Sequence, residues 1–138
     1  MGANKSTLQS PLVDHAWASE RLDDPKTLFV EVRMKPVGAD DDWESGLKIP
    51  GAVLMDVNLD FSDEATDLPH MLSSEASFEL AARRIGINND STLVLYDQVG
   101  TYGSARGWWM LRAMGHQNVF VLSGGLPVWR EQGLATEA

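Results

Sequence analysis

The chain has 138 residues, 43% of them hydrophobic, and a net charge of −9 from 11 basic and 20 acidic side chains. This length predicts one domain with its own core. The acidic balance argues against a surface for nucleic acid or for an anionic membrane, because contact with phosphate requires basic side chains. The absence of cysteine excludes disulfides, thiolate metal sites and thiol nucleophiles within these residues.

The N-terminal region predicts a flexible tail over residues 1–9, followed by a single domain over residues 10–138. No apolar stretch of the signal-peptide kind is present, and no run approaches the roughly 20 apolar residues of a membrane span. A cytoplasmic location is therefore expected. The segment LVDHAWASERL, residues 12–22, places its apolar side chains at helical spacing and predicts a short amphipathic helix.

Apolar runs without strict alternation predict four strands further along the chain. These runs cover residues 27–34, 52–56, 91–97 and 118–125. Strands that lack alternation are typical of a parallel sheet that is covered on both faces.

Three helices are also predicted. The first two precede the third and the fourth of these strands, and the last follows the fourth strand. SSEASFELAARRIG reads as a helix that is capped by Ser73 or Ser74 and ended by Gly86. A second helix is predicted over residues 104–114 with Ser104 as its N-cap, and LPVWREQG predicts a short final helix. The alternation of strands and helices predicts an α/β fold.

The loop from Asp97 to Gly103 is the best candidate for a site. Ligands of open parallel sheets bind beyond the carboxyl ends of the strands, where this loop lies. Gly100 and Gly103 let backbone N–H groups turn inward, and the next helix directs its positive end at the same space. Such a nest favours an anion, and we expect the carboxylate of Asp97 to accept these N–H bonds itself. The other polar groups that follow predicted strands are Arg33, Asp56 and the turn Ser123-Gly124-Gly125.

Other kinds of site find little support in the spacing of the residues. No phosphate-binding loop, dinucleotide fingerprint or nucleophile elbow is present. His15, His70 and His116 lack metal-ligand spacing, so no metal and no cofactor are predicted. A phosphoacceptor role for Asp97 would need paired acids, a metal and a lysine nearby.

Four segments resemble, in order, the landmarks of the rhodanese, or sulfurtransferase, family. They are LFVEVR, SGLKIPGAVLMD, TLVLYD and VLSGGLPVWREQGL. Two longer stretches, DLPHMLSSEASFELAARRIGINNDSTLVLYD and SARGWWMLRAMGHQNVFVLSGGLP, are similar to the N-terminal domain of two-domain thiosulfate or 3-mercaptopyruvate sulfurtransferases. The resemblance implies a rhodanese-like α/β fold, with a parallel sheet of about five strands and helices on both faces.

The resemblance also implies that this domain is not the catalytic one. In such enzymes the second domain holds the cysteine that carries sulfur as a persulfide, and Asp97 fits the corresponding position of the first domain. No catalytic residue is therefore expected here. The candidate loop and cleft residues are Asp97, Gly100, Tyr102, Gly103, Ser104, Arg106 and Lys48. The implied partners are a second, cysteine-bearing rhodanese domain of the same polypeptide and small sulfur-containing anions.

Two departures from the family pattern concern charged residues. Lys48 stands where the family has a histidine before Ile-Pro-Gly, and Glu31 replaces the aspartate of the acid-x-Arg strand. Lys48 is expected either to pair with Glu44 at the surface or to face an anionic substrate across the cleft.

Two alternatives to a sulfurtransferase half remain open at this point. The first is a stand-alone, catalytically inactive module that binds or regulates. The second is a small hydrolase or phosphatase that uses Asp97 without a cysteine.

Overall fold

The structure is a computed structural model that describes residues 11–57 and 75–138. Its strands are β1 (Leu12–Val13), β2 (Thr27–Arg33), β3 (Val53–Asp56), β4 (Thr92–Tyr96) and β5 (Val119–Leu122). Its helices are α1 (His15–Ser19), α2 (Glu75–Arg84), α3 (Gly103–Ala113) and α4 (Gly125–Glu131).

The strands form one parallel sheet in the order β1-β5-β4-β2-β3. Strand β4 lies at its centre with β2 beside it, and Glu31 is opposite Tyr96 in their register. Their carboxyl ends therefore meet at the same edge of the sheet. The predicted α/β class, with a parallel sheet and helices on both faces, is confirmed.

Two apolar clusters cover the two faces of this sheet. Successive side chains of a strand point to opposite faces, so alternate residues of β2 and β4 enter different clusters. One cluster packs against α2 and α3 and includes Val30, Val32, Leu95, Met110 and Leu111. The other packs against α1 and α4 and includes Phe29, Val94, Tyr96, Leu122 and Trp129. Burial of each such side chain contributes on the order of 2 kcal/mol to the free energy of folding.

The predicted helix over residues 12–22 is wrong at both ends. Leu12 and Val13 form the edge strand β1, which pairs with β5, and the helix is confined to His15–Ser19. Asp14 separates the two elements, because its carboxylate accepts the Trp17 N–H at 2.8 Å and caps the helix. The apolar residues of this segment have helical spacing, so the sequence pattern did not reveal the two-residue strand β1.

The remaining helices and strands match their predictions to within a few residues. The caps proposed at Ser73 and Ser74, the side chain of His70 and the tail over residues 1–9 lie outside the described residues. Within residues 11–57 and 75–138, no helix is both long enough and apolar enough to cross a membrane.

Gly125 brings the start of α4 against the loop that follows β4. Its φ angle is +59°, and a Cβ at this position would lie 2.4 Å from the carbonyl oxygen of Gly100 and 2.7 Å from that of Asp97. The Leu126 N–H donates to the same Asp97 carbonyl at 3.0 Å. Only glycine allows this close approach, so Gly125 holds the start of α4 against the loop that follows β4.

Gly125→Ala is expected to lower the free energy of unfolding by at least ~2 kcal/mol, because the new methyl group would collide with backbone. Gly133→Ala is the matched control: its φ is +73°, but no atom lies within 4 Å of the added Cβ. The control should lose only about 1 kcal/mol, from the strained φ alone. Urea unfolding measures both variants, and equal losses would contradict the role of Gly125.

Candidate functional site

The carboxylate of Asp97 fills the loop that follows β4. It is 2% exposed and accepts four backbone N–H groups. Oδ1 accepts from Val99 at 3.0 Å and from Gly100 at 2.7 Å. Oδ2 accepts from Tyr102 at 2.8 Å and from Ser104 at 2.9 Å. The sequence-based expectation that Asp97 occupies its own nest is therefore confirmed by geometry.

The loop of residues 97–103, called the Asp97 loop below, is closed by the two helices that adjoin it. Helix α3 directs its first N–H groups at the Asp97 carboxylate, so the negative charge lies at the positive end of the helix. Gly100 has a φ of +146°, which turns its N–H inward, as the sequence predicted. Gly103 acts differently: it has a negative φ and lies tightly against Val32 and Met34.

Ser104 is not the N-cap of α3, contrary to the prediction. The helix begins one residue earlier, and Tyr102 stands at the cap position without a side-chain hydrogen bond. The capping acceptor comes instead from Asp97, seven positions upstream of the Ser104 N–H. The Ser104 hydroxyl is fully buried and has no hydrogen-bond partner among the residues that the structure describes.

Lys48 does not pair with Glu44. Its ammonium donates to the Ala52 carbonyl at 3.1 Å and lies 3.5 Å from the carboxylate of Glu137. Its backbone exchanges two hydrogen bonds with Glu137, of 2.8 and 2.9 Å, which bring the C-terminal residues to this turn. Glu44 binds Arg33 instead, at 3.0 to 3.1 Å.

Arg33, at the end of β2, binds the carboxylates of two acidic residues. Its guanidinium donates to Glu44 and also to Asp56, which is 3.3 Å away and 6% exposed. The hydrogen bond and the charge of Glu44 raise the pKa of Arg33 above its usual value. The strand-end residues Arg33 and Asp56 thus form an ion pair with each other.

Gln98 is a site residue that the sequence analysis missed. It lies directly after Asp97, and its side-chain amide contacts Ser45, Leu47 and Glu31. It lines a pocket of about 330 Å³ together with Glu31, Glu44 and Lys48. No sequence motif marks it, because its partners are 51 to 67 positions away in the chain.

Glu31 is a partly buried acid of this pocket. It accepts from the Tyr96 hydroxyl at 3.0 Å and from the Gln98 amide at 2.9 Å. Burial raises the pKa of Glu31, and the two hydrogen bonds oppose that rise. Burial, followed by the charge of Glu31, raises the pKa of the Tyr96 phenol far above its usual value, so the phenol remains a hydrogen-bond donor.

Tyr102, Arg106 and Trp109 lie on one exposed side of α3, spaced at i, i+4 and i+7. Tyr102 is 37% and Trp109 is 46% exposed, and the Arg106 guanidinium lies 4.7 Å from the centre of the Trp109 ring. Trp108, in contrast, is partly buried against the core and donates to the Val119 carbonyl. The two neighbouring tryptophans therefore face different surroundings, Trp108 the core and Trp109 the surface.

The arrangement offers little for nucleophilic chemistry at Asp97. Both carboxylate oxygens already accept two N–H groups each, and the side chain is buried. His116 lies elsewhere, with Nε2 2.9 Å from the Ser91 carbonyl. No group of three or more metal-ligating side chains occurs in the described part of the chain. The geometry therefore gives no support to the hydrolase alternative.

A five-stranded parallel sheet with an N–H nest at the carboxyl end of its central strand defines an α/β domain whose site lies at the strand ends. Residues 14–132 match the rhodanese-like domain family. The chain belongs to this family, as the resemblance of its motifs implied.

The relatives of the chain include sulfurtransferases of about twice its length. It is 37% identical to the 3-mercaptopyruvate sulfurtransferase of Escherichia coli K12, over 88% of this chain and 44% of that protein. It is 46% identical to thiosulfate/3-mercaptopyruvate sulfurtransferase 2 of Arabidopsis thaliana, over 65% of this chain and 26% of that protein. The crystal structure of the 3-mercaptopyruvate sulfotransferase SseA from Escherichia coli superposes with a TM-score of 0.84 at 35% identity. This superposition covers 94% of the chain and 50% of SseA. The chain thus spans half or less of these relatives.

Asp97→Asn is expected to lower the free energy of unfolding by ~3 kcal/mol, because the new amide group would face two N–H donors and two charge-assisted hydrogen bonds would be lost. Asp23→Asn, at an exposed position, makes the same chemical change as a control. Chemical denaturation followed by tryptophan fluorescence measures both. A loss below ~1 kcal/mol for Asp97→Asn would contradict the role assigned to the carboxylate.

Proposed function

We propose that this chain is the N-terminal rhodanese domain of a two-domain sulfurtransferase that acts on thiosulfate or 3-mercaptopyruvate. The observation that carries the proposal is the occupied nest: Asp97 binds four N–H groups at the strand end where the family resemblance expects the sulfur-carrying cysteine. The relatives are named sulfurtransferases and are at least about twice as long as this chain, which supports the proposal. The nucleophile would then belong to the other domain.

The chemistry of sulfur transfer explains why this domain would be inactive alone. A thiolate attacks the transferable sulfur of the donor and a persulfide forms. Sulfite leaves thiosulfate, or the enolate of pyruvate leaves 3-mercaptopyruvate, with the electron pair of the broken S–S or C–S bond. The terminal sulfur of the persulfide then passes to cyanide or a thiol. A carboxylate cannot replace the thiolate, and the chain contains no cysteine.

The domain would contribute surface and charge to the cleft between the two domains. Lys48 lies in the pocket at the sheet edge with its side chain 38% exposed, and it offers a cation for an anionic donor. Tyr102 and Arg106 occupy the start of α3 beside the Asp97 loop, where a partner domain can contact them. The second rhodanese domain and small sulfur-containing anions are the proposed partners.

The exposed apolar side chains favour a domain that binds a partner over one that functions alone. Val99 and Tyr102 within the Asp97 loop and Trp109 further along α3 are each more than one third exposed. Such exposed apolar side chains near a candidate site favour an interaction surface there. A cytoplasmic location and the absence of a cofactor remain predictions from the sequence.

The first test compares thiocyanate formation from thiosulfate and cyanide, and from 3-mercaptopyruvate and cyanide, by two proteins. The isolated chain is expected to give no turnover, and the product of the complete gene is expected to be active. Replacement of the cysteine in its other rhodanese domain by serine should abolish that activity, because no persulfide can form.

Turnover by the isolated chain would overturn the proposal, since no thiol is available in it. A complete gene product without a second rhodanese domain would also overturn it. That second outcome would favour the alternative of a stand-alone, inactive rhodanese-like module that binds or regulates.

A further inference from the structure

The side-chain amide of Gln98 uses its full hydrogen-bonding capacity. Its Oε1 atom accepts from the backbone N–H and from the hydroxyl of Ser45, at 3.0 and 2.7 Å. Its Nε2 atom donates to the Leu47 carbonyl at 2.8 Å and to the Glu31 carboxylate at 2.9 Å. An amide offers two donors and two acceptor positions, so these four bonds satisfy it completely. Such a match defines one orientation of the side chain.

Gln98 links two segments that are distant in the sequence. It belongs to the Asp97 loop, whose backbone directly after Gln98 is held by the Asp97 carboxylate through the N–H groups of Val99 and Gly100. Its side chain reaches Ser45 and Leu47, which precede Lys48 within residues 45–49, called the Lys48 turn below. The position of the Lys48 turn is thus coupled to that of the Asp97 loop.

The Lys48 turn has further supports that leave its lysine at the pocket. The Ile49 N–H donates to the Tyr96 hydroxyl at 3.0 Å, and the Lys48 backbone pairs with Glu137. These contacts secure the end of the turn beyond Lys48, whereas Gln98 secures the part that precedes it. Lys48 and Gln98 line the same pocket of about 330 Å³.

We infer that Gln98 is a positioning residue, which holds the Lys48 turn against the Asp97 loop and so sets where the Lys48 ammonium lies in the cleft. Its effect on catalysis rests on the proposed function, in which Lys48 faces an anionic sulfur donor. Gln98 itself does not touch the reacting atoms. Its role is to present Lys48.

The structural part of the inference is tested by amide hydrogen exchange on the full-length protein. Gln98→Glu keeps the shape of the side chain but directs an oxygen at the Leu47 carbonyl and at the Glu31 carboxylate. Protection of residues 45–49 should fall about tenfold, the effect of losing one hydrogen bond to a charged group. Gln98→Ala should give the same local loss, and strands β2 and β4 should keep their protection.

The matched control is Gln117→Glu, which makes the same change of charge at an exposed turn. It should leave the protection of residues 45–49 at the wild-type level. Unchanged protection of these residues in both Gln98 variants would overturn the inference. Equal loss of protection throughout the sheet would overturn it too, because it would show a general destabilisation.

The functional part is tested by a double-mutant cycle in the full-length enzyme with 3-mercaptopyruvate as donor. Gln98→Glu and Lys48→Ala should each raise KM about tenfold, with kcat little changed, since the first displaces the Lys48 ammonium from bound substrate and the second removes it. The double variant should have the KM of Lys48→Ala, because Gln98 acts through Lys48. Additive effects, or an unchanged KM for Gln98→Glu, would overturn the positioning role.

The two tests separate this inference from the proposed function. If the wild-type protein shows no sulfur transfer, the proposed function fails, and hydrogen exchange alone decides whether Gln98 holds the Lys48 turn. If the wild type is active and the exchange pattern of Gln98→Glu equals that of the wild type, only the inference about Gln98 fails.

Discussion

The four hydrogen bonds between the Asp97 carboxylate and the backbone of its own loop are the interaction on which this end of the molecule depends. The loop turns around one side chain and leaves four backbone N–H groups pointing inward. A buried N–H without an acceptor costs about 1–3 kcal/mol, so the loop requires an anion or polar acceptor at its centre. In this chain the carboxylate of Asp97 is that acceptor.

The neighbouring elements follow from that arrangement. Helix α3 starts where the carboxylate satisfies its first N–H groups, without a cap from its own first residues. Helix α4 approaches the same loop closely because Gly125 carries no side chain, and it donates to the Asp97 carbonyl. The loop, two helix starts and the central strand therefore form one unit. A change at Asp97 should affect all four.

Much of this unit can be predicted from local sequence, because its determinants are local. The apolar runs of β2 and β4 and the glycines after the helices indicate an α/β fold. The occupied nest was also predictable, since Asp97, Gly100 and the start of α3 lie within a few residues of one another. Strand β1 was not, because two residues form a strand only through pairing with β5.

The contacts of the cleft could not be predicted, because they join residues that are far apart in the chain. Of the two roles expected for Lys48, the pairing with Glu44 is absent, because Lys48 lies near the carboxylate of Glu137 and Glu44 binds Arg33. Gln98 carries no motif, and its importance lies in partners more than 50 positions away. Tertiary geometry, not residue type, makes it a part of the site.

The most direct test of the account is a measurement of NMR couplings across hydrogen bonds, between backbone amide nitrogens and the carboxyl carbon of Asp97. The account predicts couplings from the amides of Val99, Gly100, Tyr102 and Ser104 to this one carbon. Their absence, together with rapid solvent exchange of these amides, would show that the carboxylate does not fill the nest. The explanation of the loop as a nest that its own Asp97 carboxylate occupies would then be contradicted.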